Sequence, residues 1–421
     1  MGLPVPLSGN LSFSFPKKTI YMESFMKKSI RFMAAALLLA GATSAYAAGK
    51  SGRAELKVWE SSGPESTYIL AAIKEYRKIN PKVKISYEAV GHTDSRAKIE
   101  LDGPAGVGAD IFVSPHDHMG ALVAAGNILP VDDAEEYMEN FYDMAKIGSK
   151  YNGVNYGYPL AAETYALVYN KDLVKNPPKT WDDVKAFAKT FNNKTEGKYA
   201  LVWSVGDGCY DYMFMESFGA PLFGKDGNDR SKHNLNSPEA IKGLKFFQNL
   251  RKEILDIPAS DANGDFCNAQ FTEGKSAMVI TGPWSLPSYK AAGLNIGVVR
   301  LPAFPGTDHA TSFSGVRLAF VSSWSKYPEE AKAFAKFLTS RDMLKKRYEL
   351  TDQIPPRNDI QVNDPLINGF KEQLAYARAM PTIPQLGIYW SSMNSAYAEI
   401  WDGGDVKRSL DSAAATMEAA K

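Results

Sequence analysis

Strand-like and helix-like periods alternate along this chain. The stretch "AELKVWE" (Ala54–Glu60) places apolar residues at every second position, as a half-buried strand does. In "STYILAAIKEYRKINP" (Ser66–Pro81), Ile69, Leu70, Ile73, Tyr76 and Ile79 fall on one helical face until Pro81 stops it. "KVKISYEAV" (Lys82–Val90) alternates again, and "ADIFVSP" (Ala109–Pro115) reads as a further short strand closed by a turn. The rhythm continues with a strand at Thr164–Asp172 and a helix at Asn176–Phe191, entered through Pro-Pro, with Thr180 as cap and Asp183 three residues on. Two more helices are expected at Ser237–Ile254 and Lys326–Ser340. Such a pattern predicts an α/β fold with mostly parallel sheets, whose ligands sit beyond the carboxyl ends of the strands. No fixed repeat and no low-complexity tract divides the chain. That fits two lobes between which the backbone crosses more than once.

A length of 421 residues points to two or three domains. Hydrophobic residues at 45% and charged residues at 23% supply a core of useful size in an ordinary soluble profile. A net charge of +1 leaves no basic excess for nucleic acid or an anionic membrane surface. Residues 26–47 read as a signal peptide: Lys27, Lys28 and Arg31 precede the apolar run Phe32–Ala40, and Ala45-Tyr46-Ala47 is a small-x-small cleavage site. Met26 or Met22 is then the natural start, with residues 1–25 an upstream extension. The apolar run is shorter than the ~20 residues of a membrane span, and no Cys adjoins the cleavage site for lipid attachment. Export to a periplasm, with cleavage near Ala47, is the expectation. Cys209 and Cys267 are the only cysteines, and an exported chain can join two such thiols in one disulfide.

Catalytic and metal signatures are thin. "SPHDHMG" (Ser114–Gly120) holds His116 and His118 around Asp117, but a third ligand at zinc spacing is missing. "KDGND" and "DANGD" resemble calcium loops without completing the ligand series. No nucleophile elbow, phosphate loop or dinucleotide fingerprint occurs, and no cofactor is implied. Carboxylates are plentiful, so a secreted glycan-processing enzyme stays open as an alternative.

Aromatic residues, 12% of the chain, collect where elements end. The apolar run Ala277–Ile280 stops at Gly282-Pro283, a strong turn signal, and Trp284 follows at once. Trp390 ends "PTIPQLGIYW" (Pro381–Trp390), and Tyr210 and Tyr212 lie in "GDGCYDYMF". Rings at such places either plug the core or stand in a cleft as plates for the apolar face of a sugar, whose hydroxyl rim then needs carboxylates or amides. Asp117, Glu163 and Asp207 are acids in comparable positions. Glu163 interrupts "LAAETYALVY", otherwise a buried run, as a solvent-facing edge residue or a ligand contact.

The segments "ADIFVSPHDHMGALVAAGNILP", "VNYGYPLAAETYALVYNKDLVKNPPKTWDD", "FTEGKSAMVITGPWS" and "MPTIPQLGIYW" carry a family resemblance. From about Ala54 to its end, the chain resembles the periplasmic binding proteins for maltose and maltodextrins, in the extracellular solute-binding group that serves ABC importers. The resemblance implies two α/β lobes joined by a hinge, with ligand between them. Lobe 1 would comprise residues 54–163 plus 318–353, and lobe 2 residues 164–317 plus 354–421. The chain would cross near Ala162–Thr164, Gly315–Ala319 and Gln353–Pro355. Trp284, Trp390 and Tyr210 would stack on glucose rings. Asp117 and Glu163 would bond hydroxyls, and Asp207 would stand where the family has a glutamate.

This chain also departs from the family pattern. Ser114 occupies an aromatic's place, His118 an arginine's, and Cys209 another aromatic's. "ESSGPES" (Glu60–Ser66) lacks a familiar lysine and aspartate, leaving Ser61, Glu65 and Ser66 as substitute contacts. The expected function is a non-enzymatic monomeric receptor that binds malto-oligosaccharides and docks on an ABC permease. A cyclodextrin or another oligosaccharide is the alternative cargo.

Overall fold

The computed structural model describes residues 53–224, 227 and 229–419. The expected signal peptide, residues 26–47, lies outside them, as does part of the calcium-like stretch at 225–229. The strands are β1 (Ala54–Glu60), β2 (Val83–Ala89), β3 (Ile111–Pro115), β4 (Lys150–Tyr151), β5 (Val154–Asn155), β6 (Gly157–Thr164), β7 (Ala166–Asn170), β8 (Tyr199–Val202), β9 (Ser276–Thr281), β10 (Ile296–Val299), β11 (Phe313–Val321) and β12 (Arg378–Ala379). Six of them form a mixed sheet in the order β12-β11-β3-β1-β2, with β6 also paired to β11. Four more form a second sheet, β10-β7-β9-β8. The two sheets are the cores of two lobes, an α/β architecture of the periplasmic-binding-protein type.

The local signals explain the elements. Helix Pro64–Ile79 starts with Pro in its first turn and buries Tyr68, Ile69, Ala72, Ile73 and Tyr76 along one stripe. Thr180 and Asp183 form a reciprocal capping box at the start of helix Trp181–Phe191, so the Pro-Pro pair precedes the helix instead of entering it. Ser237 caps helix Pro238–Glu253 through the Ala240 N–H. The calcium-like "DANGD" is also a cap: Asn263 accepts from the Phe266 N–H at the start of helix Gly264–Thr272.

The backbone passes from one sheet to the other at Tyr165, between β6 and β7, and returns between β10 and β11. Phe313–Arg317, grouped with the second lobe from sequence, pair with β6 and β12 inside the six-stranded sheet. Near the next crossing, Ile354 bridges back to Ala162.

Trp59, Trp181, Trp203 and Trp401 are fully buried. Trp181 packs against Trp203, Phe214, Phe246 and Phe304 in the core of the second lobe. Filling the cores with these rings leaves Trp284, Trp324 and Trp390 to show surface.

Candidate functional site between the lobes

Two pairs of parallel strands end toward the cleft. In the first sheet β1 runs parallel to β3, and in the second β8 runs parallel to β9. Beyond the end of β1 come Ser61 and Glu65, and beyond β3 a single tight turn, His116–His118, carries Asp117. Past β8 lies Asp207, which caps the one-turn helix Gly208–Asp211 by accepting from the Cys209 N–H at 2.8 Å. Past β9 come Gly282, Pro283 and Trp284. This is the placement that the strand-end rule anticipates.

Trp284 is 38% exposed. Its ring folds back over Gly282, where a Cβ would lie 2.2 Å from the indole. Gly282 therefore gives the indole its seat. Trp390, in helix Leu386–Trp401, packs edge-on against Phe313 and Tyr389 and donates its Nε1–H to Asp117 Oδ2 at 3.2 Å. These two residues line a cavity of about 330 Å³ with Arg96, His118, Pro384 and Asn394. Tyr210 is half-buried, 5.1 Å ring to ring from Tyr165, whose hydroxyl donates to the Tyr210 carbonyl oxygen at 3.3 Å. Cys209 lies between these groups. Burial pushes its thiol well up, and the nearby charges of Asp207, Asp117 and Glu163 push it further. Burial also raises Asp207 above the usual carboxylate range.

The hydrogen-bond pattern assigns donors and acceptors. Ser114 Oγ donates to His92 O, so it accepts from His118 Nδ1–H at 2.9 Å, which leaves His118 Nε2 as the acceptor nitrogen. Burial lowers the pKa of His118, and Arg96 and His116 lower it further against the pull of Asp117. On the β1 side, Arg317 donates to His92 Nε2 at 3.3 Å, so His92 Nδ1–H donates to Ser61 Oγ at 3.1 Å. The backbone N–H of His92 also donates to that oxygen, leaving the Ser61 hydroxyl proton to serve as a donor. Burial, with Arg317 and Arg347 nearby, holds His92 neutral, its pKa pushed down to about 2.

Glu65 and Glu163 are both paired to Arg317, each at 2.9 Å. The Glu163 contact is an ion pair without a directed hydrogen bond: Glu163 Oε1 and Arg317 Nε are both buried with no hydrogen-bond partner. Glu163 is thus a charge-paired, partly buried residue on β6, with 15% of its side chain exposed. Arg317 and His92 escaped the sequence reading. Arg317 carries the same signal that marked Glu163, a lone charge in an apolar run, "SGVRLAFV"; His92 has no comparable local mark.

Two expectations fail. Tyr212 is fully buried, stacked on Phe313 at 3.6 Å with nearly parallel rings, and its hydroxyl donates to Glu216. It belongs to the core, because the one-turn helix before it rotates its ring inward. The second failure is the disulfide: Cys209 and Cys267 are both free thiols, one at the cleft and the other buried in helix Gly264–Thr272. The His116/His118 metal pairing also has no support in the geometry. His116 Nδ1 accepts from the Val316 N–H and its Nε2–H donates to Met380 O, so both ring nitrogens are spent on backbone.

Comparison with known proteins places this arrangement. Residues 71–371 match the family model described as bacterial extracellular solute-binding protein. A galactooligosaccharide-binding protein of Bacillus subtilis is 32% identical, covering 94% of this chain and 98% of its own. A maltotriose-binding protein of Pyrococcus abyssi is 30% identical over 83% of this chain and 78% of its own. Among solved structures, a cyclo/maltodextrin-binding protein complexed with maltotetraose superposes with a TM-score of 0.76 at 34% identity, covering 88% of this chain and 98% of its own. The Thermus thermophilus maltotriose-binding protein reaches 0.80 at 27% identity, over 87% and 99%.

Proposed function

The chain belongs to the bacterial extracellular solute-binding proteins, and from that premise we propose that its cleft binds malto-oligosaccharides and delivers them to an ABC permease. The observation that carries the reading is the meeting of Trp390 and Asp117 across the cleft, beside a cavity whose lining mixes the polar groups of Arg96, His118, Ser391 and Asn394 with the apolar surface of Trp390, Ala121 and Pro384. A glucose unit presents an apolar face and a hydroxyl rim. An indole covers the first, and carboxylates accept from the second. Trp284 and Tyr210 supply further ring surface, and Glu163, Glu65, Asp207, Ser61 and His118 supply polar partners. A ligand closes such a cleft only through contacts it makes better in the closed form. Rings from one lobe and acids from the other meet that requirement.

We assign the protein to the periplasm as a monomeric receptor without catalytic activity. Titration of tryptophan fluorescence with maltose through maltoheptaose, with cyclodextrins and with galacto-oligosaccharides tests the reading. Binding of linear glucans supports it, and silence toward every glucan overturns it. A response confined to cyclodextrins or to galacto-oligosaccharides transfers the receptor to that cargo, the second choice being favoured by the B. subtilis relative. Shortened products after incubation with maltodextrin would establish an enzyme instead.

A further inference from the structure

Arg317 stands in the middle of β11 with 3% of its side chain exposed. The ladder between β6 and β11 shifts register between Arg317 and Leu318. Irregularities of this kind re-aim side chains beside functional sites. One guanidinium here serves two carboxylates: Nη1 reaches Glu65 and Nη2 reaches Glu163. The nearby pair Glu60–Arg347 is different. It matches one cation to one anion, both fully enclosed, and Arg347 further donates to Gln353. A carboxylate offers about four acceptor sites. Sharing one cation between two carboxylates therefore holds both groups in place while leaving acceptor capacity on them unspent: each makes one 2.9 Å ion pair with Arg317, and the Glu65 and Glu163 side chains keep 13% and 15% of their surface exposed.

We propose that Arg317 is a positioning residue for the ligand. It holds Glu65 and Glu163 in place as acceptors for sugar hydroxyls and, through its hydrogen bond to His92 Nε2, sets the Ser61 hydroxyl as a donor. This rests on the reading of the cleft as a saccharide site. The charged or titratable groups acting on Arg317 are Glu60 from β1, Glu65 from the first helix, Glu163 from β6 and His92 from the loop after β2. Arg347 acts on His92 from the helix Arg341–Thr351, and His116 and Cys209 lie near Glu163. Without the guanidinium, Glu65 and Glu163 repel each other and sit in a site that disfavours charge.

The test is calorimetric titration with maltotriose at neutral pH, with melting temperatures measured in parallel, using wild type, Arg317→Met and Arg317→Lys. Wild-type binding is measured first, and its absence refutes the saccharide reading, not this inference alone. Given wild-type binding, Arg317→Met is expected to weaken it tenfold or more at neutral pH. Arg317→Lys keeps the charge, reaches one carboxylate at a time, and should fall between the two. A merely structural arginine would lower the melting temperature and leave the maltotriose affinity of the folded protein unchanged, with no partial rescue by lysine. Should Arg317→Met fail to fold, Arg317→Met/Glu65→Gln removes the stranded charge and is expected still to bind at least tenfold more weakly. Wild-type affinity in a folded Arg317→Met variant overturns the proposal.

Discussion

The Nε1–H of Trp390 and the carboxylate of Asp117, residues 273 positions apart in sequence, meet at 3.2 Å between the two lobes. The contact joins the aromatic and acidic halves of the proposed site, and it can be probed one atom at a time. Trp390→Phe keeps a ring and removes the donor. Its effect on maltotriose affinity should be about 0.5–1.5 kcal/mol, the scale of one hydrogen bond. Trp390→Ala should cost more, about 1–3 kcal/mol, because the stacking surface goes as well. Calorimetry that finds the two variants equal would remove the ring from the site.

Gly282 offers a test of Trp284 that leaves the indole in the sequence. Its φ of −101° and ψ of −179° are open to any residue, so a substitution meets no backbone strain. A methyl there lies 2.2 Å from the ring and must push it aside. Gly282→Ala should therefore weaken maltotriose binding nearly as much as Trp284→Ala, about 1–3 kcal/mol, with little change in the melting curve. Unaltered affinity in Gly282→Ala would show that the seat of the ring is irrelevant.

Glu60 and Arg347 form an ion pair with side-chain exposures of 0% and 1%. The guanidinium also lies over the Tyr68 ring. Removing one partner strands a buried charge, and Arg347→Met is expected to cost about 3–5 kcal/mol of stability. Urea denaturation measures it directly. A loss below about 1 kcal/mol would mean that the pair is far more hydrated than its burial implies.

Acid should destabilise the fold through His92. Its pKa is depressed from 6.5 to about 2, by burial first and by Arg317 and Arg347 next. Between these values the unfolded chain binds a proton that the folded one refuses. The contribution is therefore complete above pH 6.5 and is lost as the pH falls, by about 1.4 kcal/mol per unit at full effect. His116 and His118, also lowered mainly by burial, act in the same direction. Urea midpoints at pH 7 and pH 5 should separate, and His92→Asn should narrow the gap. An equal gap in the variant would rule out His92 as the source.

Part of the proposed site is legible in the sequence alone. The turn at Gly282-Pro283 marked Trp284 as a ring leaving a strand, and a lone acid in an apolar run marked Glu163. Both signals lie within a few residues of the side chain they identify. Tyr212 was misread because nothing local separates it from Tyr210: two positions apart at a helix start, one ring stays half-buried at the cleft and the other stacks on Phe313. Arg317 carried a readable mark but no partner, since Glu65 and Glu163 lie 252 and 154 positions away.

The sequence by itself determined the alternating elements, their caps and the strand ends where site residues appear. Apolar periodicity, proline, glycine and capping side chains act over a few residues, and their effects survive in almost any tertiary setting. Only the tertiary structure decided which charges share a partner, which rings face the cleft and that the two thiols stay apart. Those outcomes depend on which distant segments pack together, because burial and ion pairing are properties of the assembled space around a residue.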